Sequence, residues 1–207
     1  DHFKQQKQIN IFKDWQHFIF HLPYAYHGRR MMIKKWVSWL SENGGLTKLC
    51  NEIKDNGSIN KPEFFSKAGK SKLYFNFLRE KIVAGEAASS EIGNMYTASI
   101  FMSLLSMLTK ALNDKKELKN HKIGFISYGS GSKAKIFEGT VESNWKEKIK
   151  SSNLFKILNK RTEIDIETYE KLHKNIISTP ISKSNKSIKL SLIENDNSKT
   201  GLRKYKY

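Results

Sequence analysis

One cysteine, Cys50, stands in 207 residues. It can build neither a disulfide framework nor a multi-cysteine zinc site, and such usage fits a reducing compartment. Three prolines, Pro23, Pro62 and Pro180, are too few for a proline-rich linker protein. The longest apolar stretch, Met95 to Leu108, is broken by Thr97, Ser99, Ser103 and Ser106, and it falls short of the roughly 20 residues that span a bilayer. Residue 1 is Asp, and no charged-then-apolar leader follows it. The chain therefore reads as soluble and as part of something longer. Acidic residues are also scarce: 20 Asp and Glu against 37 Lys and Arg leave a formal net charge of +17. Basic residues nevertheless occur in runs of two at most, such as Arg29-Arg30 and Lys34-Lys35. Nucleic-acid recognition rests on clustered charge, so two readings stay open: a lysine-rich solvated surface, or contact with a smaller polyanion carrying several phosphates. A hydrophobic content of 38% with 12% aromatics excludes a wholly disordered chain and suffices for a buried core.

Apolar Trp15, Phe18, Ile19, Phe20 and Leu22 predict a buried strand over 14–22 that Pro23 ends. His21 then sits at the strand's C-terminal end, where open α/β sheets bind ligands. Met32, Ile33, Trp36, Val37 and Leu40 recur at spacings of three and four and predict an amphipathic helix over 29–42. Asn43-Gly44-Gly45 stops it, and a second helix is expected over 46–54. Residues 46–84 read as a helical insertion, residues 85–94 as a polar loop, and 95–112 as a helix packed on all sides. Two strands, 122–128 and 134–141, flank the turn Gly129-Ser130-Gly131-Ser132 and predict a hairpin. A short helix over 166–175 takes Asp165 as N-cap. Residues 178–186 read as polar and mobile, and 187–194 alternate in the manner of a strand.

Several motifs are weighed and set aside. Gly69-Lys70-Ser71 lacks the glycine five residues earlier that a phosphate loop requires, since position 64 is Phe. The six histidines show no metal-ligand spacing, so no metal is expected. Cys50 reads as a small hydrophobe. The turn at 129–132 is either a plain hairpin loop or a set of backbone N–H groups able to polarise a carbonyl. On local pattern His21 is either a histidine holding a turn at the core's edge or a functional group.

Four segments in order carry a resemblance. They are FHLPYAYHGRRM (20–31), EIGNMYTASIFMSLLSML (91–108), KIGFISYGSGSKAKIFEGTV (122–141) and NKRTEIDIETYEKL (159–172). They resemble the F-H-x-P-[FY], G-N-x-Y-T-[GA]-S, strand–SYGSG–strand and R-T-E segments of hydroxymethylglutaryl-CoA synthases. The resemblance implies an α/β thiolase-like layered fold, of which this chain is the C-terminal half. Residues 1–177 would form that half-domain, with 178–207 completing it. The half bearing the nucleophilic cysteine and the acid/base glutamate would lie elsewhere, making the chain a fragment, a processed piece or the second subunit of a split enzyme. This chain alone would then lack the nucleophile.

The implied reaction condenses acetyl-CoA with acetoacetyl-CoA through an acetyl-cysteine. No cofactor is implied, because the coenzyme A thioesters are the substrates. By motif, His21 would hydrogen-bond the acetoacetyl carbonyl as it becomes an alkoxide, and Asn94 would position the same substrate. The backbone N–H of Ser130 would polarise the thioester carbonyl. Pro23, Tyr26, Arg29, Arg30, Tyr96 and Gly129 would line the substrate, with an arginine facing phosphate. Many family members carry a lysine near Tyr26, and this chain does not. The departure leaves room for an alternative, a β-branching or ketoacyl synthase working on acyl carrier protein. A basic nucleic-acid module is the alternative from another class. The resemblance further implies a cytoplasmic homodimer of the mevalonate pathway, with no membrane and no nucleic-acid partner.

Overall fold

The structure is a computed structural model that describes residues 7–129, 131, 133–177, 181, 189–196 and 198–206, with only the backbone at Lys189. Two compact units divide at Asn159/Lys160, whereas the sequence reading divides the chain at 177/178.

The first unit is built around one short strand. Helix α1 (Ile11–Asp14) starts at Asn10, whose side chain accepts from the N–H groups of Phe12 and Lys13. It ends where Lys81 Nζ donates to the carbonyls of Phe12 (2.7 Å) and Trp15 (2.5 Å). Strand β1 (His17–Phe20) follows and runs parallel to β2 (Lys122–Gly129), with Phe18 opposite Gly124 and Phe20 opposite Ile126. β2 turns back antiparallel into β3 (Lys133–Thr140), giving the sheet order β1-β2-β3. The expected hairpin is therefore present.

Strand alternation assigns the two faces. Phe18 and Phe20 enter one core with Phe12, Trp15, Leu22, Trp36, Leu49, Phe64, Tyr74 and Leu78. Ile19 points the other way, into a core with Ile100, Met107, Ile123, Phe125, Val141 and Trp145. Helices thus cover both faces of the sheet, as an α/β layer requires. Gly124 has no side chain because the Trp15 ring fills its place: a Cβ there would lie 1.7 Å from Trp15 Cε3.

The first core is roofed by α2 (His27–Glu42), α3 (Leu46–Ile53), α4 (Pro62–Ala68) and α5 (Lys72–Lys81). Leu49, Phe64, Ala68, Tyr74 and Leu78 are all buried in it. The segment read as a helical insertion is helical in α3, α4 and α5 and contributes buried side chains to that core.

Residues 85–94 are not a loop. Helix α6 spans Val83–Ile92, and its small, mostly helix-favouring residues face helix α7 (Ser99–Asn113). Gly85 lets the two approach: a Cβ there would meet Ser103 O at 3.5 Å and Ile19 Cδ1 at 3.2 Å. Ser106 Oγ donates to Ala84 O (2.7 Å) and accepts from Ala88 N–H (3.1 Å). A hydroxyl of α7 thus ties the start of α6 to its neighbour, while Ser90 Oγ of α6 donates back to Ala87 O at 2.8 Å. Helix α7 is also not enclosed on every side, since Phe101 is 60% exposed. Helices α8 (Trp145–Lys150) and α9 (Leu154–Asn159) close the unit.

In the second unit, helix α10 (Ile166–His173) starts as expected at Asp165, which accepts from Thr168 N–H at 2.7 Å. Strands β4 (Lys189–Ile193) and β5 (Arg203–Lys206) form an antiparallel hairpin with a register shift between Leu190 and Leu192. The expectation for 178–186 lies outside the described residues, apart from position 181.

Candidate active site

Strand β1 delivers His21 one residue beyond its last paired position, and His21 N–H donates to Ile126 O at 3.0 Å. The next N–H, that of Leu22, donates to Ser99 Oγ at 3.0 Å, and the same oxygen lies 3.0 Å from His21 Nδ1. Ser99 is fully buried at the start of α7. Leu22 N–H takes one lone pair of its hydroxyl, which leaves one lone pair and one proton for the contact with His21 Nδ1. In the tautomer that carries its proton on Nε2, Ser99 donates to Nδ1 and the Nε2–H is a donor on the side of the ring away from Ser99. Tyr128 stands edge-on to the His21 ring, with centroids 5.0 Å apart at 89°.

A second histidine joins them. His27 opens α2 and packs against Tyr24 (4.9 Å) and Tyr128 (5.5 Å). Its pKa is pushed below the ordinary histidine value by burial first, then by Arg30 and His21. Burial also raises the Tyr128 hydroxyl, with Tyr24 adding to it. The end of the parallel pair is thus an aromatic cluster carrying two imidazoles.

The other expected residues divide. Asn94 is exposed, and its Oδ1 accepts from Tyr96 N–H at 2.8 Å. The turn spends the amide's oxygen and leaves Nδ2 to donate outward. Tyr96 follows with φ +50° and is 76% exposed, in a single 3₁₀ turn (Tyr96–Ala98) that leads into Ser99. Asn94 and Tyr96 therefore lie five and three residues before Ser99, the group that holds His21. Gly129 ends β2 beside Tyr128, and Pro23 is half-buried after Leu22. Ser130 lies outside the described residues.

Arg29 is committed inward. Its Nη2 and Nε meet Glu86 Oε2 at 2.5 and 2.7 Å, and its guanidinium covers the Tyr26 ring at 4.5 Å. Glu86 is buried, and burial raises its pKa while the Arg29 bond holds it down. Of the two arginines, Arg30 is the exposed one; its Nη1 donates to Tyr24 Oη at 3.3 Å. Ser99 and His27 were missed as site residues. The signal for Ser99 was its place in the G-N-x-Y-T-[GA]-S segment, five residues after Asn94.

Elsewhere, Cys50 is half-buried against the first core, as a small hydrophobe would be. Among the described residues no group of three or more His, Cys, Asp and Glu could hold a metal ion. No helix among them is long and apolar enough to cross a membrane.

The sequence matches the family described as "Hydroxymethylglutaryl-coenzyme A synthase C terminal" over residues 1–194. The hydroxymethylglutaryl-CoA synthase of Enterococcus faecalis is 24% identical over 173 residues, covering 84% of this chain and 36% of that protein. The chain thus spans about a third of that relative's length. A solved structure of MvaS in complex with 3-hydroxy-3-methylglutaryl coenzyme A is similar with a TM-score of 0.61 and 23% identity, covering 93% of this chain and 41% of that one. The HMG synthase of the curacin biosynthetic pathway, solved in complex with apo donor-ACP, is similar with a TM-score of 0.54 and 18% identity, covering 81% and 34%. At these identities the two structures speak for the fold, which is thiolase-like.

Proposed function

The chain belongs to the hydroxymethylglutaryl-CoA synthase family, as its C-terminal portion, and on that premise we propose that it supplies the second-substrate side of the condensation of acetyl-CoA with acetoacetyl-CoA. The acetyl group would be carried on a cysteine of the family's other half, where a glutamate removes a methyl proton. The resulting carbanion attacks the ketone carbon of acetoacetyl-CoA, a C–C bond forms, and the ketone oxygen becomes an alkoxide that takes up a proton. Water then cleaves the cysteine thioester and releases 3-hydroxy-3-methylglutaryl-CoA.

The observation that carries this reading is the Ser99–His21 bond beside the Leu22–Ser99 bond. With the ring proton on Nε2, these bonds would hold a donor at the C-terminal end of a buried parallel strand. A donor fixed before the charge develops stabilises an alkoxide without reorganising, a contribution of roughly 3–4 kcal/mol in comparable sites. Asn94 Nδ2 would be the second donor to the same substrate, and the N–H of Ser130 would polarise the acyl thioester. Arg30 is the arginine left for coenzyme A phosphate. Delivery of the second substrate on a carrier protein is the rival within this chemistry, supported by the position of Tyr26, where many relatives have lysine. The proposal extends to a cytoplasmic homodimer serving isoprenoid synthesis.

The test separates the two half-reactions in the intact enzyme. His21→Ala should still acetylate the cysteine within about tenfold of the parent rate, and should lose condensation by roughly a hundredfold or more. Single-turnover acetylation is measured beside steady-state condensation. If both fall together in a folded variant, His21 does not serve the second substrate. If neither falls, it only holds a turn.

A further inference from the structure

The geometry points to His27 as a substrate-binding residue of this same site, with Nδ1 taking a hydrogen bond from an amide N–H of the pantetheine arm that carries the acyl group. This rests on the functional reading above and adds to it a specific contact. Three observations lead there. First, His27 Nδ1 has no hydrogen-bond partner among the described residues and is closed to solvent, so a side chain beside it turns aside when the amide arrives. A buried ring nitrogen left bare costs on the order of 1–3 kcal/mol unless something arrives to meet it. Second, the ring stands between Tyr24, with centroids 4.9 Å apart at 81°, and Tyr128, at 5.5 Å and 37°. Third, Tyr128 also touches the His21 ring at 5.0 Å, so one aromatic side chain borders both imidazoles.

The chemistry selects the ligand. The charged and titratable groups facing His27 are Arg30 on its own helix, His21 after β1, Tyr24 in the intervening loop and Tyr128 on β2. Burial and the two basic neighbours disfavour the charged form of the ring. A neutral imidazole is a weak partner for phosphate and a good one for an amide. In an acyl thioester of pantetheine, two methylenes separate the sulfur from the first amide nitrogen. In acetoacetyl-pantetheine six bonds separate the ketone carbon from that nitrogen, a reach comparable to the two ring separations, 5.0 and 5.5 Å, that lead from His21 through Tyr128 to His27. Coenzyme A and acyl carrier protein present the same arm, so the contact serves either source.

The test compares thioesters that differ in this amide, in the intact enzyme. Acetoacetyl-N-acetylcysteamine keeps it; acetoacetyl S-propyl thioester lacks it. His27→Phe keeps an aromatic ring between the two tyrosines and removes Nδ1. The preference for the amide-bearing thioester, as a ratio of kcat/KM values, should fall about tenfold in His27→Phe, mostly through KM. Equal losses on both thioesters, or no loss, would overturn the contact. Acetoacetyl groups on coenzyme A and on carrier protein should be weakened alike by the substitution, while the parent's preference between them identifies the natural source. A second readout needs no turnover. The imidazole ¹⁵N resonance of His27 should move on addition of pantetheine and stay in place with adenosine 3′,5′-bisphosphate. If the parent does not condense but pantetheine moves this resonance, the reaction assignment fails and the His27 contact stands. If the parent condenses and the resonance does not move, the His27 contact fails alone.

Discussion

His17 lies at the far end of β1 from His21, and lowering the pH should unfold the protein through it. Its Nε2 sits 3.3 Å from His121 Nδ1, with the two rings stacked at 5.4 Å. Burial first, then the charges of His121, Lys81 and Lys116, bring the His17 pKa from 6.5 down to about 4. Unfolding frees the ring to take its proton at the ordinary value. The unfolded chain thus binds more protons between about pH 4 and 6.5, so stability is fully present above this window and is lost as the pH falls through it. At 1.36 kcal/mol for each pKa unit the loss is on the order of 3 kcal/mol, a large share of a typical domain's margin. Glu86 works in the opposite sense. Its raised carboxyl pKa gives stability that is present at low pH and lost as the pH rises. The parent profile is therefore a sum, and a variant isolates the histidine. Urea denaturation of the parent and of His17→Gln across pH 4–7, followed by far-UV circular dichroism, gives the two profiles. The variant should lose most of the slope between pH 4 and 6.5, whatever its stability at pH 7. A variant profile as steep as the parent's would refute the assignment.

Two further outcomes follow from packing and from the hydroxyl that orients His21. Gly124→Ala places a methyl inside the Trp15 ring and should cost at least about 2–3 kcal/mol, read as a lower urea midpoint with an unchanged slope. Ser99→Ala strands the Leu22 N–H and releases the His21 ring. In the intact enzyme it should lower condensation about tenfold or more and leave cysteine acetylation closer to the parent rate; an unchanged condensation rate in a folded variant would remove Ser99 from the site.

The main supports of the site were legible because each rests on a local pattern. The apolar run before Pro23 placed His21 at a strand end, and the spacings of three and four from Met32 to Leu40 marked α2. The hairpin followed from two apolar runs around a glycine turn. What stayed hidden depends on partners far along the chain. Residues 85–94 look like a loop because their serines and glycines are polar or small; the reason 85–92 form a helix is α7, which accepts them closely and shares Ser106 with the backbone of α6. The same misreading affected Arg29. Its partner Glu86 is 57 residues away, on the segment taken for a loop, so the guanidinium looked available for phosphate. Ser99 counted as an interruption of an apolar helix. Its role appears only when the start of α7 is brought against the end of β1. The short helices α1, α8 and α9 hold too few periodic residues to announce themselves.

β1 has only four residues, yet its side chains are shared between two cores, Phe18 and Phe20 with one and Ile19 with the other. It is a party wall. Neither room can be opened without moving it, and moving it disturbs both. Such a strand belongs to the slowest-opening class of segments in a protein, those released only when the whole unit lets go. His21 is tethered to this wall through Ile126 and Ser99. Its donor is therefore set by the masonry of the unit and needs no flap to close over it, so its aim should survive the coming and going of substrate.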